Sequence, residues 1–433
     1  MITTTTYKKD QKDETVMESK KSSIASTEGI TSTSAPASLS DKISFQIVTA
    51  IIKRFFRVGN VELCYHDLPG APVGNAAGEK FVVRFQSRSA LWKILYKPSL
   101  NIGEIFMDRG WELEQGDLGR FMGLLLKNEE LLEETFFFKS FDAISSTLGH
   151  ALSVNSVDRS HQNVQHHYDL GNDLYESFLD QKMIYSCAFF DDGITTLADA
   201  QKNKLETTIN RLEIEPGMKV LEIGCGWGAM SEAIADHGAD ATGITLSKEQ
   251  LAFAVAKTSG QHQGQLNFQL QDYRDHAREN QNEYDRIVSI GMFEHVGTRH
   301  YKEYFDAVYM LLKPGGRAVI HSIVKDTTTR TNPWLRKYIF PGGQAPRIID
   351  MTNAAQAAGL VVPHSPYEHI GYNYSETLRH WRKRFEDAWP KLDHSRYDER
   401  FRRMWLYYLS GSEASFDALG TRVAQVVVEK KHS

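Results

Sequence analysis

From about residue 196 to 323 the chain alternates helix and strand, and this alternation restricts the fold more than any other feature. Helical periodicity over 196–213 stops before Pro216-Gly217. Strands are expected at 219–223, 240–245, 266–270, 284–290 and 317–323. Helices are expected between them at 228–237, 247–258 and 301–312, and a turn at Lys313–Gly316. Strands joined through helices lie parallel, because each crossover returns the chain over the face of the sheet. The expectation is an α/β fold with a mostly parallel sheet covered on both faces.

The first strand, Val220-Leu221-Glu222-Ile223, runs straight into Gly224-Cys225-Gly226-Trp227-Gly228. Such glycines let the backbone turn tightly and approach a ligand at a helix N-terminus. A dinucleotide-binding turn is followed, about 20 residues on, by an acidic residue that grips the ribose. Here the second strand, Ala241–Leu246, ends without one, and the acid, Glu222, precedes the glycines.

That arrangement resembles the S-adenosylmethionine (SAM) pocket of class I methyltransferases, which have a Rossmann-like, seven-stranded sheet. The resemblance implies that Glu222 orders the loop under the amino-acid end of SAM. Thr245 stands where many class I enzymes hold the ribose with an Asp; ribose or carboxylate contacts are expected from Thr245, Leu246 and Gln250. Gln271, Asp272 and Tyr273 either hold the adenine or form a plain surface turn after a strand. Cys225 reads as a small filler in the turn.

The 433 residues leave room for a second domain or a large extension. A net charge of -5 argues against general nucleic-acid binding, which needs a basic excess. Cys64, Cys187 and Cys225 are too few and too scattered for a disulfide framework or a zinc site, so the reading is a reduced, cytoplasmic compartment and no metal. Residues 1–40 are rich in Ser, Thr and Lys, lack an apolar core and contain no Arg, which suggests a disordered tail rather than a targeting segment. No apolar run approaches the roughly 18 residues that a membrane span needs.

Ile43, Ile47, Val48, Ile51, Ile52 and Phe55 recur at helical spacing among Lys42, Lys53, Arg54 and Arg57. This amphipathic helix either packs on its own domain or touches a membrane surface. Over 60–118 short alternating runs, Val61–Tyr65 and Lys80–Phe85, suggest strands of a small α+β domain spanning 41–150. Helical segments follow near 117–149, and a polar stretch from Asn155 to Gln165 reads as a linker. The catalytic domain is expected over 151–433, with a largely helical, aromatic-rich remainder after 325 covering the substrate side.

Further motifs identify a family. His166–Tyr175, Tyr185-Ser186-Cys187-Ala188, Leu221–Gly228, Gln271–Asp275, Gly291–Gly297, His321–Ile323 and Lys337–Gly342 occur in order, and together they resemble cyclopropane-fatty-acid synthases. The resemblance covers about 160 to 420; the preceding domain is similar, more loosely, to that of the longer bacterial members. It implies transfer of a SAM methyl to the cis double bond of an acyl chain, usually within a phospholipid. It also implies that Tyr185 and Ser186 contact SAM and that a bound bicarbonate acts as the base. Its ligands carry over to the backbone of Cys187 and Ile323 and to the side chains of Glu294, His321 and Tyr374.

The residue types suit that chemistry. An alkene is a poor nucleophile and must be held against the methyl group. The resulting carbocation needs a dry pocket with negative or π-electron density nearby. Each residue also has a plainer role open to it: Glu294-His295 could cap a helix, His321 could be a satisfied core histidine, and Tyr374 could be core among Tyr367, Tyr372 and Trp381. One departure concerns Ser412, which stands where the family usually has a cysteine near the active site. Activity is expected to survive, with the product open between a cyclopropane and a methyl- or methylene-branched chain; a further reading is an inactive lipid-binding homologue. The expected partner is unsaturated phospholipid at the inner face of a membrane, reached by the 43–57 helix and the aromatic segment 334–342. The longer family members form dimers, and a homodimer is expected.

Overall fold

The computed structural model describes residues 36–133, 170–257, 262–327, 331–369, 372–418 and 420–432. Most of the expected tail, and the linker at 155–165, lie outside them. Two sheets form. In the first, strands β1 (Asn60–Tyr65), β2 (Ala71–Gly74), β3 (Lys80–Phe85) and β4 (Trp111–Gln115) run in the order β2-β1-β3-β4. In the second, β5 (Lys219–Ile223), β6 (Asp240–Thr245), β7 (Leu266–Leu270), β8 (Tyr284–Ile290), β9 (Leu312–Val324), β10 (Tyr367–His369) and β11 (Arg422–Glu429) run in the order β10-β11-β9-β8-β5-β6-β7.

This second sheet is the α/β core. β5 pairs in parallel with β6 and β8, β6 with β7, and β8 with β9. β11 inserts antiparallel between β9 and β10. From β5 the chain winds outward through β6 and β7, then crosses to β8 and β9 on the other side. The switch in direction opens a crevice at the carboxyl ends of β5 and β8, where open α/β sheets bind ligands.

The expected strands β5 to β8 have the observed bounds: β5 and β8 run into Gly224 and Gly291, and β6 and β7 stop where the helices Lys248–Lys257 and Tyr273–Glu279 are about to begin. Two features differ. Lys313–Gly316 does not separate a helix from a strand but forms a bulge inside β9, where Leu312 pairs with Tyr284 and pairing resumes at Arg317 opposite Arg286. Gly315 there has φ +78°, and its N–H donates to the Lys430 carbonyl at 2.9 Å. The remainder after 325, expected to be largely helical, also contributes β10 and β11. β11 is buried along nearly its whole length, as a strand covered on both faces must be.

The helix Leu39–Phe55 starts two residues inside the expected tail, where Ser38 and Asp41 form a reciprocal capping box. It buries Phe45 and Val48 but leaves Leu39, Ile43, Ile47 and Phe55 exposed. The apolar stripe read from the sequence is therefore only partly the core-facing side. The helix Leu118–Glu133 packs against the helix Glu399–Ala418. Arg403 ties the two parts together, donating to the carbonyls of Phe106 and Trp111 and to Glu112. One apolar cluster includes Val61, Phe81 and Trp111 from the first sheet and Trp334, Trp381 and Trp405 from the C-terminal helices.

Candidate active site

A cavity of about 630 Å³ opens beside the carboxyl ends of β8 and β9 and extends into the N-terminal sheet. That volume lies within the range typical of small-molecule sites. Cys187, Glu294, His321, Ile323, Tyr374 and Ser412 all line it, together with Tyr185 and Ser186. These residues arrive from separate elements: a loop at 185–188, the short turn Phe293–His295 after β8, strand β9, and the helices Tyr372–Ala388 and Glu399–Ala418. Ile52, Val61, Val83 and Phe121 continue the wall in apolar side chains.

Glu294 is buried in this wall. Its Oε1 accepts the Ile323 N–H at 2.7 Å, while Oε2 is buried and has no hydrogen-bond partner among the described residues. The Ile323 amide proton is thus spent on the carboxylate. Burial pushes the Glu294 carboxyl up to about 7, opposed by the Ile323 hydrogen bond. His321 lies 2% exposed, stacked on Phe189 with ring centroids 5.9 Å apart. Tyr374 sits between Phe416 and Trp381, with centroids at 4.5 and 6.1 Å. Burial raises the Cys187 thiol, whose Sγ faces the Ala188 carbonyl at 3.3 Å, so it is no nucleophile. The Ser412 carbonyl accepts from Ser415 Oγ at 2.9 Å within the helix.

The residues expected to hold SAM gather at the ends of β5, β6 and β7, and in the loop before the helix Leu197–Leu212. Glu222 Oε2 accepts from both the N–H (2.9 Å) and the hydroxyl (2.5 Å) of Ser231. It thereby pins the first turn of the helix Ala229–Asp236 against the strand. Burial raises the Glu222 carboxyl to about 7, opposed by these two bonds. Gly224 and Cys225 N–H groups both donate to the Ile244 carbonyl, which closes the turn onto β6. Gly228, at φ +91°, has no room for a Cβ, which would stand 2.7 Å from Phe268; at Gly226 a Cβ would meet nothing within 4 Å. The turn is therefore packed at its helix end and open at Gly226.

Thr245 and Gln250 bond each other at 3.1 Å, and Leu246 directly follows the end of β6 at Thr245. Gln271 bonds His276 and Glu279, and Asp272 caps the helix Tyr273–Glu279 while gripping Arg274 at 2.8 Å. Tyr273 packs edge-on against Tyr304. Tyr185 reaches Tyr408, hydroxyl to hydroxyl, at 2.7 Å.

Several residues that the sequence analysis did not single out support the site. Lys204 is buried, and its Nζ donates to Ser186 Oγ at 2.8 Å. Burial lowers its ammonium to about 8, with Asp180 acting in the opposite sense. Gln201, one turn earlier, donates to the Ser186 carbonyl at 2.9 Å. Both lie on the buried stripe of Ala200, Leu205, Ile209 and Leu212, and two polar residues on an apolar stripe are the signal that could have found them. Thr377 accepts from the Ala188 N–H at 3.0 Å and fixes the loop from the other side.

A parallel sheet in this strand order, with a glycine turn after β5 and a polar cluster across the switch point, defines a class I SAM-dependent methyltransferase. The chain belongs to the mycolic acid cyclopropane synthetase family, whose model matches residues 155–426. It is 35% identical to the cyclopropane-fatty-acyl-phospholipid synthase of Escherichia coli K12 over 350 residues, 80% of this chain and 87% of that protein. It is 36% identical to the tuberculostearic acid methyltransferase of Mycobacterium tuberculosis over 334 residues, 73% of this chain and 75% of that protein. Among solved structures, a mycolic acid cyclopropane synthase complexed with SAH and CTAB matches with a TM-score of 0.57 at 29% identity, covering 62% of this chain and 98% of the other.

Proposed function

We propose that the protein transfers a methylene from SAM to the cis double bond of an unsaturated acyl chain in a phospholipid, closing a cyclopropane ring with bicarbonate as the base. The observation that carries this reading is Glu294 Oε2, a buried carboxyl oxygen without a partner among the described residues, in the same apolar cavity wall as His321 and Tyr374. An unpaired buried oxygen is costly. A small anion that carries its own proton fits it, and so does a protonated Glu294 that donates to the anion.

When bound, SAM supplies the methyl group and bicarbonate accepts the proton that the new ring must shed. The chain does the rest. Glu294, His321, Tyr374 and the backbone at Cys187 hold the base, and Ile323 acts through Glu294, whose carboxylate its amide orients. The apolar wall from Ile52 to Phe121 excludes water, which would otherwise capture the cation. Aromatic faces at Tyr185, Tyr374 and Phe416 supply π density to the positive charge. On the cofactor side, Tyr185, Ser186 and the 222–228 turn would hold the amino-acid end of SAM, with Thr245, Leu246 and Gln250 on the ribose or the methionine carboxylate and Gln271–Tyr273 on the adenine.

Access fits a lipid surface. Among the described residues no helix is long and apolar enough to cross a membrane. Exposed Leu39, Ile43 and Ile47 lead along one helix to Ile51, Ile52 and Phe55, which line the cavity. An acyl chain can follow that apolar path from the inner face of a membrane. The N-terminal part is then a lipid-associated domain, and the working form is a cytoplasmic homodimer at that surface.

A second reading rests on Ser412, whose polar side chain borders the cavity; a cation quenched by a different proton loss gives a branched product. Purified protein with SAM and vesicles of cis-unsaturated phospholipid separates the two by proton NMR. High-field cyclopropyl signals support ring closure, and activity that falls in bicarbonate-depleted buffer and returns on its addition supports the base. Branched-methyl or vinylidene signals instead establish the second reading.

A further inference from the structure

His321 and Gln425 face each other as paired residues on β9 and β11, and both are buried. The Gln425 carboxamide makes three contacts. Its Oε1 accepts from Arg211 Nη1 at 2.6 Å, and its Nε2 stands 2.9 Å from Thr208 Oγ1 and 3.2 Å from His321 Nδ1.

The orientation of that carboxamide is decided twice over. Arg211 has donors only, so the group facing it must be the amide oxygen. Stacking over the Tyr367 ring, with the guanidinium carbon 4.0 Å from its centroid, holds Arg211 in place. Thr208 spends its single hydroxyl proton on the Lys204 carbonyl at 2.8 Å, so toward Gln425 it can only accept. Both arguments put the NH2 toward Thr208 and His321. Of its two protons, one goes to Thr208 and the other to His321 Nδ1. A nitrogen that accepts cannot carry a proton, which leaves the ring proton on Nε2.

We propose that Gln425, aligned by Arg211 and Thr208, is a positioning residue that locks His321 as its neutral Nε2–H tautomer. A neutral donor fits the site better than an imidazolium, which would make an ion pair with the bound base and weaken it as a proton acceptor. That consequence rests on the proposed role of His321 as a ligand of the base; the tautomer itself does not.

The test is nitrogen-15 NMR of histidine-labelled full-length protein at neutral pH, with the His321 signals assigned by difference against His321→Gln. The expected spectrum shows a bare Nδ1 and a protonated Nε2. In Gln425→Glu the new carboxylate accepts from the ring, so the proton is expected on Nδ1, with kcat lower by about 10- to 100-fold and the SAM KM unchanged. A protonated Nδ1 in the unmodified protein overturns the proposal, as does a Gln425→Glu spectrum identical to it. A tautomer that shifts as expected while kcat holds keeps the lock and overturns only the role of His321 as a ligand of the base. The measurement on the unmodified protein stands even where a variant fails to fold.

Discussion

Glu294 receives the amide proton of Ile323 on one carboxyl oxygen, at 2.7 Å, and keeps the other buried without a partner among the described residues. Half of the carboxylate is therefore structural and half is available for chemistry. The same division appears at Ser186, whose hydroxyl takes the Lys204 ammonium while the residue borders the cavity.

Replacing Glu294 by Gln should trade stability against activity. Burial raises the folded-state carboxyl from its ordinary 4.5 to about 7. Between those values the folded protein binds more protons than the unfolded chain, so stability falls as pH rises toward 7 and the deficit persists above it. Glu294→Gln keeps an oxygen for Ile323 and cannot ionise. Its Tm should match the parent near pH 4.5 and exceed it at pH 8, with a rate lower by at least about 100-fold. Thermal melts at the two pH values check the sign, and equal melting shifts at both would refute it.

Lys204 presents a buried positive charge to Ser186, and we expect that charge to draw the carboxylate of the SAM methionine end. Lys204→Met should weaken S-adenosylhomocysteine binding by about tenfold or more, the loss of one charge-assisted contact of roughly 1.5–3 kcal/mol. Methylthioadenosine lacks the carboxylate, so its affinity should stay the same. Calorimetry with both ligands decides the point, because equal losses would mean that the lysine only supports the loop.

At Gly228 the backbone sits at φ +91° and a Cβ would press on Phe268. Gly228→Ala should cost about 1–3 kcal/mol of stability and lower SAM affinity, because the turn must shift to relieve the clash. Chemical denaturation together with SAM titration measures both effects.

Arg403 satisfies the Phe106 and Trp111 carbonyls across the junction between the N-terminal sheet and the long C-terminal helix. Arg403→Leu leaves both without this donor and should destabilise by about 1–3 kcal/mol. If the cavity shared across that junction holds the acyl chain, lipid turnover should fall while SAM binding persists. Parallel loss of both would point to global unfolding instead.

The parallel core was readable from the alternation of short strand segments with helical periodicity and from the glycine turn after β5, which together leave few folds open. β11 was missed because its six buried positions, Val423–Val428, follow a long helix and lack the alternation that marks a half-buried strand. The stripe on Leu39–Phe55 was legible as amphipathic, but no periodicity tells which apolar residues meet a core. The proposed catalytic cluster shows no local pattern, since its members come from five separated segments; only resemblance to a family grouped them. Lys204 and Gln425 stayed hidden for a physical reason: a charge on a helix reads as solvated, and one amide in an apolar strand reads as neutral, until the fold shows what each one touches.

The most direct measurement supplies SAM with a deuterated methyl group and follows the lipid product by mass spectrometry. Ring closure by proton loss from the transferred methyl predicts that the lipid keeps the new carbon, sheds one deuteron and survives ozonolysis intact, whereas a methylene branch with the same two deuterons is cleaved. A product that retains the whole deuterated methyl, or vesicles that take up no label while SAM stays bound, would contradict the account.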